Sequence, residues 1–230
     1  MTSPVLHIAI DGPVGAGKSD ISSYLAKNLG ITYVYTGAMY RTVAYACITS
    51  TIDPHDKEKV LALLSDLAIL LGPPDVNSSH PVKIILNTVD VTDELFTPAV
   101  DSITPIVSSI PEVRREMVKL QQAQAKGKSV VMEGRDIGLR VLPDAQLKIY
   151  LTATVEERAK RRHLQMKSKG ISKSYQEVLK DIKERDILDT TRTVDPLQKL
   201  PSAWELDTTG MTQEEVVSRI KEELVRRNLL

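Results

Sequence analysis

The glycine-rich segment at residues 12–19 constrains the fold of this chain more than any other feature of its sequence. It reads Gly-Pro-Val-Gly-Ala-Gly-Lys-Ser and fits the pattern G-x-x-x-x-G-K-[ST]. An apolar run at residues 6–10 precedes it, and residues 19–29, with apolar positions at three-and-four spacing, follow it. The pattern predicts a buried strand, a tight turn and a helix, in that order.

The residue types of this segment, the phosphate loop, suit the binding of a nucleotide triphosphate. Glycines let backbone N–H groups approach phosphate oxygens that side chains would block. Lys18 can reach the β- and γ-phosphates, and the Ser19 hydroxyl can hold Mg²⁺, with Glu133 assisting through a water molecule. The predicted nucleotide-binding residues are Gly12, Pro13, Val14, Gly15, Ala16, Gly17, Lys18 and Ser19. A glycine-rich turn that happens to precede a lysine is the alternative interpretation.

Strand and helix patterns alternate along most of the chain. Further short apolar runs predict strands at residues 31–35, 129–132, 147–151 and 204–206, and helical spacing recurs at residues 56–71, 113–125, 155–167, 175–188 and 213–228. This alternation predicts a three-layer α/β fold with a five-stranded parallel sheet covered on both faces. Residues 82–86 and 89–91, joined by Asn87-Thr88, instead predict an antiparallel hairpin within an inserted subdomain.

Composition excludes several classes of protein. The chain has 30 Lys and Arg residues against 30 Asp and Glu residues, so a dedicated nucleic-acid binder is not expected. The single cysteine, Cys47, cannot form a disulfide within the chain, which favours a reducing compartment. No segment is apolar over the length of a bilayer, and the N-terminus lacks a signal-peptide pattern. We therefore expect a cytoplasmic protein without a membrane partner.

Charge is distributed unevenly along the chain. Residues 53–101 contain nine acidic residues and three lysines, whereas residues 156–192 contain eleven basic residues and seven acidic ones. Two solvated faces would explain this division. The alternative is that the basic segment, which follows the fourth predicted strand, closes over phosphates as a lid.

Polar residues follow the second and third predicted core strands. Thr36 and Arg41 come after the second strand, and Arg135 and Asp136 come after the third. Each set has a simple explanation, a helix cap with a solvated arginine in the first case and a local ion pair in the second. Ligands of α/β sheets, however, bind at the carboxyl ends of the strands. We therefore treat all four residues as candidates for binding a ligand.

Arg185, Asp189 and Arg192 share one face of a predicted helix, provided that the helix continues to residue 192. An exposed ladder of ion pairs is the alternative to a ligand site. The position of these residues in the basic segment favours a functional role.

Electrostatics indicates what a phosphate group would need around it if it accepted a phosphoryl group from the bound nucleotide. Two unit charges 4 Å apart repel by about 4 kcal/mol at an effective dielectric of 20, so a phosphate acceptor needs several cations around it. The candidates are Arg41, Arg114, Arg135, Arg185 and Arg192. An ionised phosphate needs no general base, so catalysis would consist of alignment and charge stabilisation.

The sequence resembles the bacterial-type cytidylate kinases, which transfer a phosphoryl group from ATP to CMP or dCMP. The resemblance extends over nearly the whole chain and rests on segments 10–19, 36–41, 87–92, 111–114, 133–138, 143–145 and 183–186. It implies a core at residues 1–36, 129–157 and 192–230, a CMP-binding subdomain at residues 37–128 and a lid at residues 158–191, in a monomer. A kinase for UMP or another acceptor and a non-catalytic nucleotide-binding module are the alternatives.

The resemblance also implies roles for individual residues. Lys18, Arg135, Arg185 and Arg192 would be catalytic, and Arg158 and Arg162 would cover ATP from the lid. Thr36, Arg114 and Asp136 would face cytosine, Arg185 and Asp189 the sugar, and Arg41, Arg135 and Arg192 the acceptor phosphate. The sequence departs from the family pattern at Tyr35, where an acid is usual, and at Asp20, Leu139 and Pro105. We expect the Asp20 carboxylate to point away from the phosphates, since it would repel them.

Overall fold

The computed structural model describes residues 5–76, 78, 80–168 and 170–230. The predicted segments 1–36, 37–128 and 158–191 thus include positions outside the described residues. In the described part of the chain, no helix is both long and apolar enough to span a bilayer. The chain forms two compact units, one made of Met1–Thr32 with Gly127–Leu230 and the other of Tyr33–Lys126. The predicted boundaries of core, subdomain and lid remain predictions.

Eight strands and eight α-helices make up the regular structure of the described residues. The strands are β1 (His7–Asp11), β2 (Thr32–Tyr35), β3 (Ile69–Gly72), β4 (Lys83–Leu86), β5 (Val89–Asp90), β6 (Val130–Gly134), β7 (Leu147–Thr152) and β8 (Trp204–Asp207). The helices are α1 (Lys18–Leu29), α2 (Thr36–Thr49), α3 (Lys57–Ser65), α4 (Pro98–Ser109), α5 (Pro111–Ala125), α6 (Val155–Ser168), α7 (Tyr175–Thr191) and α8 (Gln213–Arg226). A short 3₁₀ turn covers Glu94–Phe96, and a π-helical turn covers Ile137–Val141.

The large sheet has the strand order β2-β6-β1-β7-β8, which confirms the predicted five-stranded parallel sheet. β1 lies at its centre and pairs with β6 on one side and β7 on the other. Ile8, Ala9 and Ile10 are fully buried, as expected for a strand covered on both faces. The chain therefore enters the phosphate loop from the middle of the sheet, where its neighbours also end.

The small antiparallel sheet has the order β3-β4-β5 and confirms the predicted hairpin. Asn87 and Thr88 both have positive φ, 46° and 76°, as a two-residue type I′ turn requires. β3 corrects one prediction, because the sequence pattern extended a helix over residues 56–71 whereas α3 ends at Ser65. The apolar run that ends at residue 71 fits both a helical and a strand pattern. Pairing with β4 favours the strand, in which Ile69 is 5% exposed and Leu70 is 61% exposed.

Two helices lie outside the ranges that helical spacing predicted. The first, α2, has a mostly apolar sequence with little helical periodicity, and eight of its residues are buried. The second, α4, contains Pro105, a residue type that disfavours the interior of a helix. Its start follows ordinary rules, with Pro98 at the first position and the Thr97 side chain accepting a hydrogen bond from the Val100 N–H. In both cases tertiary packing outweighs the local sequence signal.

Candidate active site

The phosphate loop connects the central strand to α1 in the predicted order. A Cβ at Gly12 would lie 2.0 Å from the carbonyl oxygen of Leu151, so no other residue fits there without moving β7. Gly17, with φ 86°, is the N-cap of α1 and has no side chain with which to occupy the helix N-terminus. No side chain therefore caps the first N–H groups of α1, which suits them to binding an anion.

Lys18 lies inside this loop. Its side chain is buried, and its Nζ donates a hydrogen bond to the Pro13 carbonyl oxygen at 2.8 Å. Burial, and after it the charge of Arg135, lowers the pKa of Lys18 to about 7. Phosphate charges close to the amine would favour its protonated form, because an anion stabilises an adjacent cation.

Ser19 and Glu133 meet beside the loop. The Ser19 hydroxyl donates a hydrogen bond to a Glu133 carboxylate oxygen at 3.0 Å, and Glu133 is buried near the end of β6. A hydroxyl and a carboxylate are the hard oxygen ligands that Mg²⁺ prefers. No group of three or more His, Cys, Asp or Glu residues able to hold a metal by themselves occurs in the described ranges. A cation here would need oxygens from a bound phosphate or from water.

Arg135 and Arg185 converge on the Asp189 carboxylate. The Nε atom of Arg135 lies 2.7 Å from one carboxylate oxygen, and the Nε atom of Arg185 lies 3.1 Å from the other. Burial alone would raise the pKa of Asp189, yet the two guanidinium groups hold it below its ordinary value. The structure thus places together three of the residues that the sequence analysis selected from α7 and the third strand end.

Arg192 also belongs to this cluster, although it does not lie on the helix as the sequence pattern required. α7 ends at Thr191, and Arg192, with φ −59° and ψ 143°, leaves the helix. Its Nη2 atom nevertheless lies 3.6 Å from an Asp136 carboxylate oxygen. Two ion pairs among residues that the sequence analysis selected one by one, Arg135 with Asp189 and Asp136 with Arg192, therefore connect the segment after β6 to the end of α7.

Asp11 is a structural element of the site that the sequence analysis did not identify. Its two carboxylate oxygens accept hydrogen bonds from the backbone N–H groups of Ile137 and Gly138, both at 2.8 Å. Burial raises the pKa of Asp11 to about 6, although the two N–H groups favour its charged form. Asp11 thereby attaches the turn after Asp136 to the strand that carries the phosphate loop. An acid directly before a glycine-rich loop was the signal available in the sequence.

The second unit holds Thr36, Arg41 and Arg114. Thr36 is buried at the start of α2, and Arg114 is buried with its Nη1 donating to the Ser108 carbonyl oxygen at 3.3 Å. The Arg41 guanidinium donates to an Asp101 carboxylate oxygen at 2.5 Å and to the Leu95 carbonyl oxygen at 3.0 Å. Asp101 was not identified from the sequence, because its partner lies sixty residues away in the chain.

The two arginines assigned to a lid have different surroundings. Arg158 is buried and donates to the carbonyl oxygens of Ala153 at 3.0 Å and of Val14 in the phosphate loop at 2.9 Å, besides pairing with Asp186 at 2.7 Å. Arg162 is half-buried and donates to Gln165, three residues later in α6, at 2.7 Å. The role of both residues toward ATP remains a prediction.

Arg161, between them in sequence, was not selected by the sequence analysis. Its guanidinium donates to the Thr208 carbonyl oxygen at 2.6 Å and to the Thr208 hydroxyl at 3.0 Å. One of its terminal nitrogens lies 3.9 Å from the position that a Cβ on Gly17 would take. Among the described residues, Arg161 is therefore a cation beside the N-terminus of α1.

Comparison with known proteins identifies close relatives. A family model described as Cytidylate kinase matches residues 8–226. A cytidylate kinase of Caldanaerobacter subterraneus is 44% identical over 228 residues, covering 99% of this chain and 98% of its own. A cytidylate kinase of Caldicellulosiruptor saccharolyticus is 47% identical over 217 residues, with 94% of each chain covered. A solved structure of an uncharacterized protein from Eubacterium ventriosum shares the fold, with a TM-score of 0.53 at 12% identity over 97% of this chain and 99% of its own.

Proposed function

Because this chain belongs to the cytidylate kinase family, we propose that it transfers the γ-phosphoryl group of ATP to CMP or dCMP, giving ADP and CDP or dCDP. The observation that carries this proposal is the cluster of Arg135, Arg185 and Arg192 beside Asp189 and Asp136, at the same sheet edge as the phosphate loop. Comparison with relatives does not favour another acceptor or a non-catalytic module.

Charge stabilisation performs the chemistry in this proposal. The donor and acceptor phosphates are both anionic, and the acceptor oxygen is already ionised, so no residue has to remove a proton. Lys18 holds the donor phosphates, and Arg135, Arg185 and Arg192 offset repulsion as the two phosphates approach. The partly buried guanidinium of Arg135 stays protonated, because burial lowers its pKa but the carboxylates of Asp189, Glu133 and Asp11 together raise it above its usual value.

The residues present fit a divalent cation. Ser19 would hold Mg²⁺ through its hydroxyl, and Glu133 would do so through a water molecule, since the two side chains already meet at 3.0 Å. Such a cation, if bound, would supply positive charge that offsets the negative charge of the phosphate oxygens.

Acceptor recognition is assigned to a set of threonine, arginine and aspartate side chains. In our proposal Thr36, Arg114 and Asp136 face the cytosine, Arg185 and Asp189 face the sugar, and Arg41, Arg135 and Arg192 hold the acceptor phosphate. Arg158 and Arg162 contribute to the ATP side. Arg41 is kept charged although burial opposes this, because Tyr35 and Asp101 raise its pKa above the usual value. It can therefore accept a phosphate without first taking up a proton.

A coupled assay for ADP release tests the function. With ATP and Mg²⁺ present, we expect turnover with CMP and dCMP, and turnover with AMP that is lower by at least about 10²-fold, because an unmatched base leaves buried polar groups unpaired. Activity on AMP without activity on CMP would contradict the assignment. Binding of ATP and CMP with no CDP formed would instead support a non-catalytic module.

We further propose that the segment at residues 158–191 moves as a lid. Its own apolar cluster is small, with Ala159, Val178 and Ile182 as the buried members among the described residues. Hydrogen exchange across residues 157–192 should slow when both nucleotides are added, because closure protects backbone N–H groups that otherwise open readily. Peptides of α8 serve as the control and should not change. Equal protection of residues 157–192 with and without nucleotides would contradict the lid.

A further inference from the structure

The turn after α7 contains an ion pair that the proposed function does not use. The carboxylate of Asp195 pairs with the guanidinium of Arg140, which lies in the π-helical turn after β6. The Asp195 side chain is 8% exposed, whereas that of Arg140 is 55% exposed. The surface residue Arg140, one turn beyond Asp136, thus neutralises the buried carboxylate of Asp195.

Asp195 also supports Arg192 directly. The Arg192 Nε donates a hydrogen bond to the Asp195 carbonyl oxygen at 2.6 Å. In the same turn, the Leu197 N–H donates to the Asp189 carbonyl oxygen at 2.8 Å, which attaches the turn to the end of α7. The position of the Arg192 guanidinium therefore depends on the backbone of this turn.

The backbone at Asp195 has an uncommon conformation. Its φ is 49°, in the left-handed region that residues other than glycine rarely adopt and that Asp and Asn tolerate best. Such a conformation persists where surrounding contacts hold it. The side-chain pair with Arg140 is one such contact, at the residue whose carbonyl oxygen accepts a hydrogen bond from Arg192.

A backbone hydrogen bond attaches Arg140 to the proposed site. Its backbone N–H donates to the Asp136 carbonyl oxygen at 2.8 Å. The pair therefore connects the same two segments as Arg135 with Asp189 and Asp136 with Arg192. We propose that Arg140 and Asp195 are positioning residues that hold Arg192 toward the acceptor phosphate, an inference that rests on the proposed function of Arg192.

We expect the pair of Arg140 and Asp195 to affect the position of the Arg192 guanidinium more than the stability of the fold. The Arg140 guanidinium is 55% exposed, so solvent screens its charge and limits what the pair contributes to the free energy of unfolding. Fixing the Arg192 guanidinium before the acceptor arrives, however, removes an ordering cost from binding. Loss of the pair should therefore weaken CMP binding selectively and leave ATP binding nearly unchanged.

A double-mutant cycle tests this inference. Arg140→Gln removes one charge, and Asp195→Asn removes the other while keeping a residue that tolerates positive φ. We expect each single variant to raise KM for CMP about tenfold, with KM for ATP within about twofold of the parent and little change in Tm. The double variant should be no worse than either single one, and Arg140→Lys should recover most of the loss.

Arg226→Gln is a matched control, because Arg226 is 68% exposed and pairs with Glu223, which is 9% exposed. It should leave KM for CMP unchanged. Arg192→Gln, measured in parallel, separates the two hypotheses. If Arg192→Gln does not affect transfer to CMP, the proposed role of Arg192 is wrong. If it does, while the pair variants behave like the parent, act additively or affect ATP and CMP equally, the positioning pair is overturned.

Discussion

Replacement of Lys18 by methionine should lower kcat/KM for the phosphoryl transfer by about 10³-fold, within the range seen when one charge-stabilising group is removed from such a site. Methionine keeps the unbranched stem of the buried side chain, so the loop should keep its shape. The lost interaction is that of the ammonium group with phosphate oxygens, which strengthens as charge develops in the transition state. Steady-state assays with ATP and CMP, together with the thermal unfolding midpoint, measure the effect.

Lys27→Met provides the matched control for this change. Lys27 lies in the last turn of the same helix and is exposed. Its replacement should alter kcat/KM by less than about twofold, since surface substitutions away from a site have small effects. A Lys18→Met variant that is folded and retains a tenth or more of the parent activity would show that the lysine has no major catalytic part.

Replacement of Arg135 by alanine should lower the rate of transfer by about 10²-fold to 10³-fold while changing the Kd for ATP only a few-fold. Arg135 is assigned to the acceptor phosphate, and its Nε already lies 2.7 Å from the Asp189 carboxylate. Removal of the guanidinium leaves Asp189 with Arg185 as its ion-pair partner at 3.1 Å. Single-turnover transfer and an ATP titration, performed on the same preparation, separate the two effects.

Arg115→Ala is a suitable comparison for the Arg135 variant. Arg115 is a surface arginine that pairs with Glu112 at 3.4 Å, so its loss removes the same type of interaction outside the proposed site. We expect no change in transfer. Similar losses of ATP binding and of transfer in Arg135→Ala would indicate that Arg135 acts on the donor or on folding and would contradict its assignment to the acceptor.

Much of the site could be predicted because residues that are adjacent in the sequence supply its chemical groups. The phosphate loop, the Arg135-Asp136 pair and the hairpin turn at Asn87-Thr88 each lie within one short segment whose residue types serve a single purpose. The five core strands were predicted for the same reason, since buried parallel strands are short apolar runs between turns. Local pattern and global fold agree at these positions.

The residues that were missed form partnerships over long distances in sequence. Asp101 contacts Arg41, Asp11 contacts the N–H groups of Ile137 and Gly138, and Arg161 contacts Thr208. None of these contacts leaves a local pattern, because each residue is of a common type and its partner comes from another element. The strand β3 was missed for a related reason, since its pairing with β4 outweighs a sequence that suits either structure.

The sequence by itself determined the class of ligand, the parallel core and the identity of most charged groups in the site, because phosphate binding and strand burial impose residue types locally. Tertiary structure decided where those charges point. Arg192 leaves its helix and still lies 3.6 Å from Asp136, and this placement depends on the turn that Arg140 and Asp195 hold. Electrostatic forces act across space between segments far apart in the chain, so their balance becomes visible when the chain is folded.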